Sequence, residues 1–153
     1  EFVAGSYDKF NYELLERPNF GIRLKRGGFA KDFISTISDN SELGKAKALY
    51  SWIQQHFTWD GYIGFSSSEA GREAYNKAEG SVADINLSFI AACREAGIKA
   101  NPVVLNTRGN GIPHPLFPSF DRFNYVIAYI EFDNGFILAD PSADLPLGEL
   151  PLK

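Results

Sequence analysis

From Gly80 to Gly97 the chain reads GSVADINLSFIAACREAG, and its apolar residues recur with the period of a helix. At about 100° per residue, Val82, Ile85, Phe89, Ile90, Cys93 and Ala96 fall on one face, and Leu87 and Ala91 widen it until the helix is mostly buried. Ser81 is placed to cap its start, with Asp84 in the first turn, and Gly97 to end it. Further upstream, Ala46, Tyr50, Ile53 and Phe57 keep the same spacing and predict an amphipathic helix over Ser41 to Phe57, with Asp39 and Glu42 as a capping-box variant. His56 lies on the less apolar side of that helix and reads as solvent-facing.

Shorter elements surround these two. Phe29 to Ile37 predicts a short helix, and Ser66-Ser67-Ser68-Glu69 introduces a polar outer helix over about Glu69 to Ala78. Phe20 to Lys25 alternates apolar and polar residues like an edge strand or extended arm, and Arg17-Pro18-Asn19 breaks any helix before it. The aromatics Phe2, Tyr7, Phe10 and Tyr12 predict a wrap packed on the domain, or the torn edge of a preceding one.

Past Gly97 the period changes. Ile98 to Leu105 reads as a strand, with Pro102 tolerable near its start or on an edge. Phe123 to Phe132 and Phe136 to Ala139 form a hairpin about Asp133-Asn134-Gly135. Tyr125, Ile127 and Tyr129 alternate with Val126, Ala128 and Ile130, so both faces are apolar and the strand should be central. Between these strands Asn106 to Asp121 is a long loop without periodicity that carries Arg108 and His114, either a binding loop or a plain connector. The pattern divides the chain into an arm over residues 1–40, a core over 41–144 and a proline-rich exit strand or linker over 145–153.

Composition narrows the classes. At 153 residues, with 44% hydrophobic and 14% aromatic residues, the chain is long and apolar enough for one folded domain. A formal charge of −4 gives no basic footprint, which argues against nucleic acid as a partner. The sequence contains no methionine and is expected to be a processed product or an excised part of a larger protein. No apolar run approaches the ~20 residues of a membrane span. Two histidines and one cysteine, far apart, form no zinc pattern, and no phosphate loop is present, so neither metal nor cofactor is expected.

Four segments taken in order resemble the transglutaminase-like core domain, a branch of the papain-like cysteine enzymes. They are Gly80-Ser81-Val82-Ala83-Asp84, Arg94-Glu95-Ala96-Gly97-Ile98, Phe123-Asn124-Tyr125-Val126 and Leu138-Ala139-Asp140-Pro141-Ser142. The family pattern is a Gly-x-Cys-x-Asp turn, a helix ending in Arg-x-x-Gly-Ile, a strand opening with His and a strand ending in Leu-Asp-Pro-Thr. Lys45 to Ile53, followed by Trp59-Asp60, is similar to the helix that precedes the family core. The resemblance implies an α+β, cysteine-proteinase fold, with a central buried helix packed on an antiparallel sheet and the Val82 end facing Tyr125 and Asp140.

The resemblance also assigns the chemistry. Val82 stands at the place of the nucleophilic cysteine and Tyr125 at that of the histidine, while the acid position, Asp140, is kept. Valine offers no nucleophile, and a phenol with an ordinary pKa of about 10 is a poor base at neutral pH. Cys93, eleven positions after Val82, lies about 16 Å further along the helix and reads as a core residue.

The expectation is therefore a non-catalytic binding or structural module of a larger bacterial cell-envelope protein, placed in the periplasm or at the cell surface. Its former cleft, lined by Val82, Asp84, Arg108, His114, Asn124, Tyr125 and Asp140, would hold a peptide or glycan, with flanking domains as further partners. The alternatives are an active cysteine peptidase or acyl-transferase using Cys93 with His114, and a scaffold without ligand.

Overall fold

A computed structural model describes residues 6–152; Phe2 lies outside them. Helix α1 (Tyr7–Glu16) is capped by Ser6, whose side chain accepts the Lys9 N–H, and it stops at Arg17, the residue before Pro18. Two 3₁₀ turns, Gly21–Lys25 and Gly28–Ala30, lead into α2 (Lys31–Thr36). Then come α3 (Glu42–His56), β1 (Thr58–Trp59), α4 (Arg72–Lys77), β2 (Glu79–Gly80) and α5 (Val82–Glu95). Strands β3 (Lys99–Leu105), β4 (Tyr125–Phe132) and β5 (Gly135–Ala139) complete the described chain.

The three long strands form an antiparallel sheet in the order β3-β4-β5, so the strand with two apolar faces is central, as its alternation predicts. Beside it, β1 and β2 make a two-residue parallel pair that no sequence signal announced. Helix α5 crosses between the sheet and the other helices, touching β3, β4, α3, α4 and the 3₁₀ turn at 21–25. From Val82 to Cys93 only Asp84 is not buried, so this helix is covered on all sides rather than along one stripe. Its start is a full capping box: Ser81 accepts the Asp84 N–H and the Asp84 carboxylate accepts the Ser81 N–H. Gly97, at φ +80°, ends it.

Two expectations need correction. Residues 20–25 are not a strand: Phe20 and Leu24, four apart, are both buried, and Gly21 lies so close to the Leu15 backbone that a Cβ would sit 2.0 Å from its carbonyl oxygen. Helical spacing of two large side chains overrides a six-residue alternation that has no neighbouring strand to pair with. At the start of α3 the cap is Ser41, which accepts the Gly44 N–H, while Asp39 accepts from the Ser41 N–H and hydroxyl. The wrap expected of the N-terminal aromatics takes the form of α1, whose Phe10 stacks on Phe120 at 4.5 Å between ring centroids; Tyr12 is exposed.

Tyr50 joins α3 to the turn after β5. Its hydroxyl donates to the Leu145 carbonyl at 2.7 Å and lies 3.3 Å from that of Asp140. Burial, then the carboxylates of Asp140, Glu149 and Asp144, push its pKa up to about 12. Because the folded pKa lies above the ordinary value near ~10, this contribution to stability is complete below that pH and is lost as pH rises through the folded value. Urea denaturation across the alkaline range should show stability falling between about pH 10 and 12, with a shallower fall in Tyr50→Phe; an identical alkaline slope in the variant would contradict the assignment.

Candidate functional site

Val82 opens α5, Tyr125 opens β4 and Asp140 directly follows β5, so three element ends bring the three positions together. The Tyr125 hydroxyl donates to Asp140 Oδ2 at 2.5 Å. Asp140 Oδ1 accepts from Asn86 Nδ2 at 2.8 Å, from the Ser142 hydroxyl at 2.5 Å and from the Ser142 N–H at 3.2 Å. Val82 packs with Tyr125 and Ile127, and Val103, Leu105 and Leu138 lie against them. Relative exposures of 0% for Val82, 2% for Tyr125 and 0% for Asp140 place the group in the interior.

A buried carboxylate is tolerated only when its lone pairs are satisfied, and here every donor named is neutral. Asn86 does more than complete the set. Its amide also donates to the Val126 carbonyl at 2.8 Å, and its side-chain oxygen accepts the Ser142 N–H at 3.2 Å, so one residue ties α5 to β4 and to the turn after β5. Sequence reasoning passed over it. The signal was an amide four residues after Val82, hence on the same helix face, inside an otherwise apolar run. Burial, followed by the hydrogen bond to Asp140, raises the Tyr125 pKa well above that of an ordinary phenol. The phenol is therefore held as the neutral donor of this hydrogen bond.

Among the described residues, the hydrogen bonds of the remaining expected site residues run to partners other than Asp140. Asp84 uses its carboxylate on the Ser81 N–H and the Ser67 hydroxyl, a capping role. Asn124 accepts the Thr107 N–H and donates to the Thr107 hydroxyl, which pins the start of the long loop. Arg108 borders an open hollow with Thr107, Ile112 and Pro113. His114 is exposed; its Nδ1 accepts the N–H groups of Leu116 and Phe117, and its carbonyl accepts the Tyr7 hydroxyl. Cys93 is fully buried, and desolvation pushes its thiol pKa far up. His56, expected to face solvent, is half-buried: its ring stacks on Tyr75 at 3.9 Å and its Nε2 lies 2.6 Å from the Tyr75 carbonyl. That partner comes from α4, which the pattern of α3 alone could not reveal.

At the expected cleft, beside Tyr125 and Asp140, lies a part-open cavity of about 60 Å³ lined by Leu105, Thr107, Ile127, Leu150 and Pro151. Small-molecule sites commonly run from about 300 Å³ upwards, so this space suits water rather than a peptide or sugar. Larger hollows of about 380 Å³ lie between α1 and β3 and beside Gln54, Trp59 and Ser142. Among the described residues no group of His, Cys, Asp and Glu could hold a metal ion, and no helix is long and apolar enough to cross a membrane.

If the carboxylate organises this region, Asp140→Ala should cost about 3 kcal/mol or more in chemical denaturation, because it strands the buried donors of Tyr125 and Asn86. Tyr125→Phe, which removes one donor from a buried acceptor, should cost about half as much. Unchanged stability in Asp140→Ala would contradict the network.

Comparison with known proteins gives this geometry a context. No curated protein matches the chain. Among solved structures, it is similar to a candidate cysteine protease from Cytophaga hutchinsonii, with 18% identity, a TM-score of 0.53, and coverage of 78% of this chain and 39% of that one. It is also similar to a candidate protease from Parabacteroides distasonis, with 16% identity, a TM-score of 0.60, and coverage of 82% and 25%. A protein described as a TGase matches at 13% identity and a TM-score of 0.56, over 96% of this chain and 39% of its own. At such identities the likeness speaks for the fold, and the chain spans about two-fifths or less of each of these structures. The family model of the transglutaminase-like superfamily matches residues 28–141, most of the chain, and the protein belongs to that superfamily.

Proposed function

We propose that this chain is a pseudoenzyme: a non-catalytic transglutaminase-like domain that serves as a binding or structural module of a larger bacterial cell-envelope protein. The observation that carries the reading is the residue at the start of α5. A thiolate at a helix N-terminus is what this kind of acyl transfer requires, and the side chain there is Val82, buried against Tyr125 and Ile127. Tyr125 supports the same reading, since a phenol held neutral by burial, with its own proton donated to Asp140, cannot take a proton from a nucleophile at neutral pH.

The competing reading, a cysteine peptidase or acyl-transferase, draws on two similar structures described as candidate proteases. It would need Cys93 as nucleophile and His114 as base. Cys93 is 0% exposed near the C-terminal end of α5, and His114 is exposed on the long loop with its Nδ1 already engaged. An extracytoplasmic setting belongs to the proposal on the strength of the family resemblance alone. Fractionation of cells producing the natural protein tests it; recovery in the cytoplasm would contradict it.

Alkylation of Cys93 by iodoacetamide between pH 5 and 9, native against unfolded, separates the two readings. The native thiol should be protected until the chain unfolds, with no acid-shifted reactivity. Fast native alkylation with a depressed pKa would overturn the non-catalytic reading.

A further inference from the structure

The chain that leaves Asp140 is fastened in two different ways. As far as Leu145 it is held by hydrogen bonds: the Ala143 N–H to the Asp140 carbonyl, Gln54 Nε2 to the carbonyls of Ala143 and Leu145, and the Tyr50 hydroxyl to Leu145. Over residues 146–152 the described backbone makes one hydrogen bond, within its own turn, from the Glu149 N–H to the Pro146 carbonyl. Gly148, at φ +92°, redirects the chain past Ile137 of β5. Beyond it, Leu150 and Pro151 line the small cavity at Tyr125 and Asp140.

Of the apolar strip formed by Tyr125 and Ile127 with Val103, Leu105 and Leu138 against them, Leu105, Tyr125 and Ile127 share the small cavity with Leu150 and Pro151. Leu150 remains 38% exposed and Leu152 89% exposed, so the strap meets the strip with only part of one leucine and a proline, while Leu147 packs against the main core instead. Among the described residues such a contact is held by side chains alone, and the cost of ordering residues 146–152 opposes it. Segments of this kind open locally well below global unfolding. The strap also shows what the strip accepts: a Leu-Pro segment, recognised by side-chain seating rather than by strand pairing, with proline lowering the entropy lost on binding.

We propose that the strip beside Tyr125 is a peptide-binding groove occupied in cis by Leu150–Pro151, and that an extended apolar, proline-containing segment of another chain takes the same place when the strap lifts. The proposal rests on the non-catalytic reading in one respect, that the bound peptide is not cut.

The test uses a fluorescein-labelled peptide, Gly-Glu-Leu-Pro-Leu, carrying the chain's own residues 148–152. Leu150→Asp, a change at a part-exposed position, should unseat the strap, leave the urea midpoint close to that of the wild type, and bind the peptide about tenfold more tightly by fluorescence anisotropy. A peptide with Asp and Gly in place of its Leu-Pro should not bind. In the unmodified chain, excess peptide should raise hydrogen exchange over residues 146–152 and leave β4 unchanged, a readout that does not depend on the variant folding. Equal or absent binding by the two chains, or no change in exchange over the strap, would overturn the proposal. Binding accompanied by cleavage, seen by mass spectrometry, would uphold the groove and overturn the non-catalytic reading instead.

Discussion

A fully buried carboxylate with no cationic partner among the described residues fixes how this region is built. Asp140 takes hydrogen bonds from Tyr125, Asn86 and Ser142, and each donor belongs to a different part of the chain: the start of β4, the middle of α5 and the turn after β5. Taking a charge out of water is costly unless such donors replace the water, so these three elements can pack in few other ways. Asn86 adds the Val126 carbonyl and the Ser142 N–H to the same knot. The geometry that in a catalytic relative would aim an acid at an imidazole here aims it at a phenol and an amide.

Once the knot is in place, its apolar side closes on itself. Val82 packs against Tyr125, and Leu150 with Pro151 lines the small cavity that remains. The capping box of Ser81 and Asp84 still presents the helix start toward this region, as a nucleophile would need, but the side chain it presents is aliphatic. On the non-catalytic reading proposed above, the helix start of a reactive site carries the side chain of a core. This is why fold alone does not decide function here.

Much of the fold was legible in the residues. Ser81, Asp84 and Gly97 announced α5, and the double alternation from Tyr125 to Ile130 announced a central strand. The candidate positions Val82, Tyr125 and Asp140 were singled out only through the order of four short segments, since no single residue among them carries a motif. What stayed hidden was tertiary. Asn86 looked like one polar residue in an apolar helix until the Val126 carbonyl and Asp140 supplied its partners. His56 looked exposed because its partner Tyr75 lies on another helix. Asp84 was readable both as a cap and as a cleft residue, and the local hydrogen bonds decided for the cap. Arg108 and His114 sit on a loop whose course no periodicity constrains. The placing of Leu150 and Pro151 beside Tyr125 was equally beyond local pattern, because two apolar residues in a proline-rich stretch do not say where they land.

The central claim, that Asp140 with its partners is a cooperative structural knot rather than a reactive centre, is tested most directly by a double-mutant cycle. Tyr125→Phe, Asn86→Ala and the double variant would be compared by urea denaturation. The account predicts non-additivity of about 1 kcal/mol or more, because both side chains act through the same buried carboxylate. Strict additivity would mean that Asp140 does not couple them, and the structural role assigned to this site would fail.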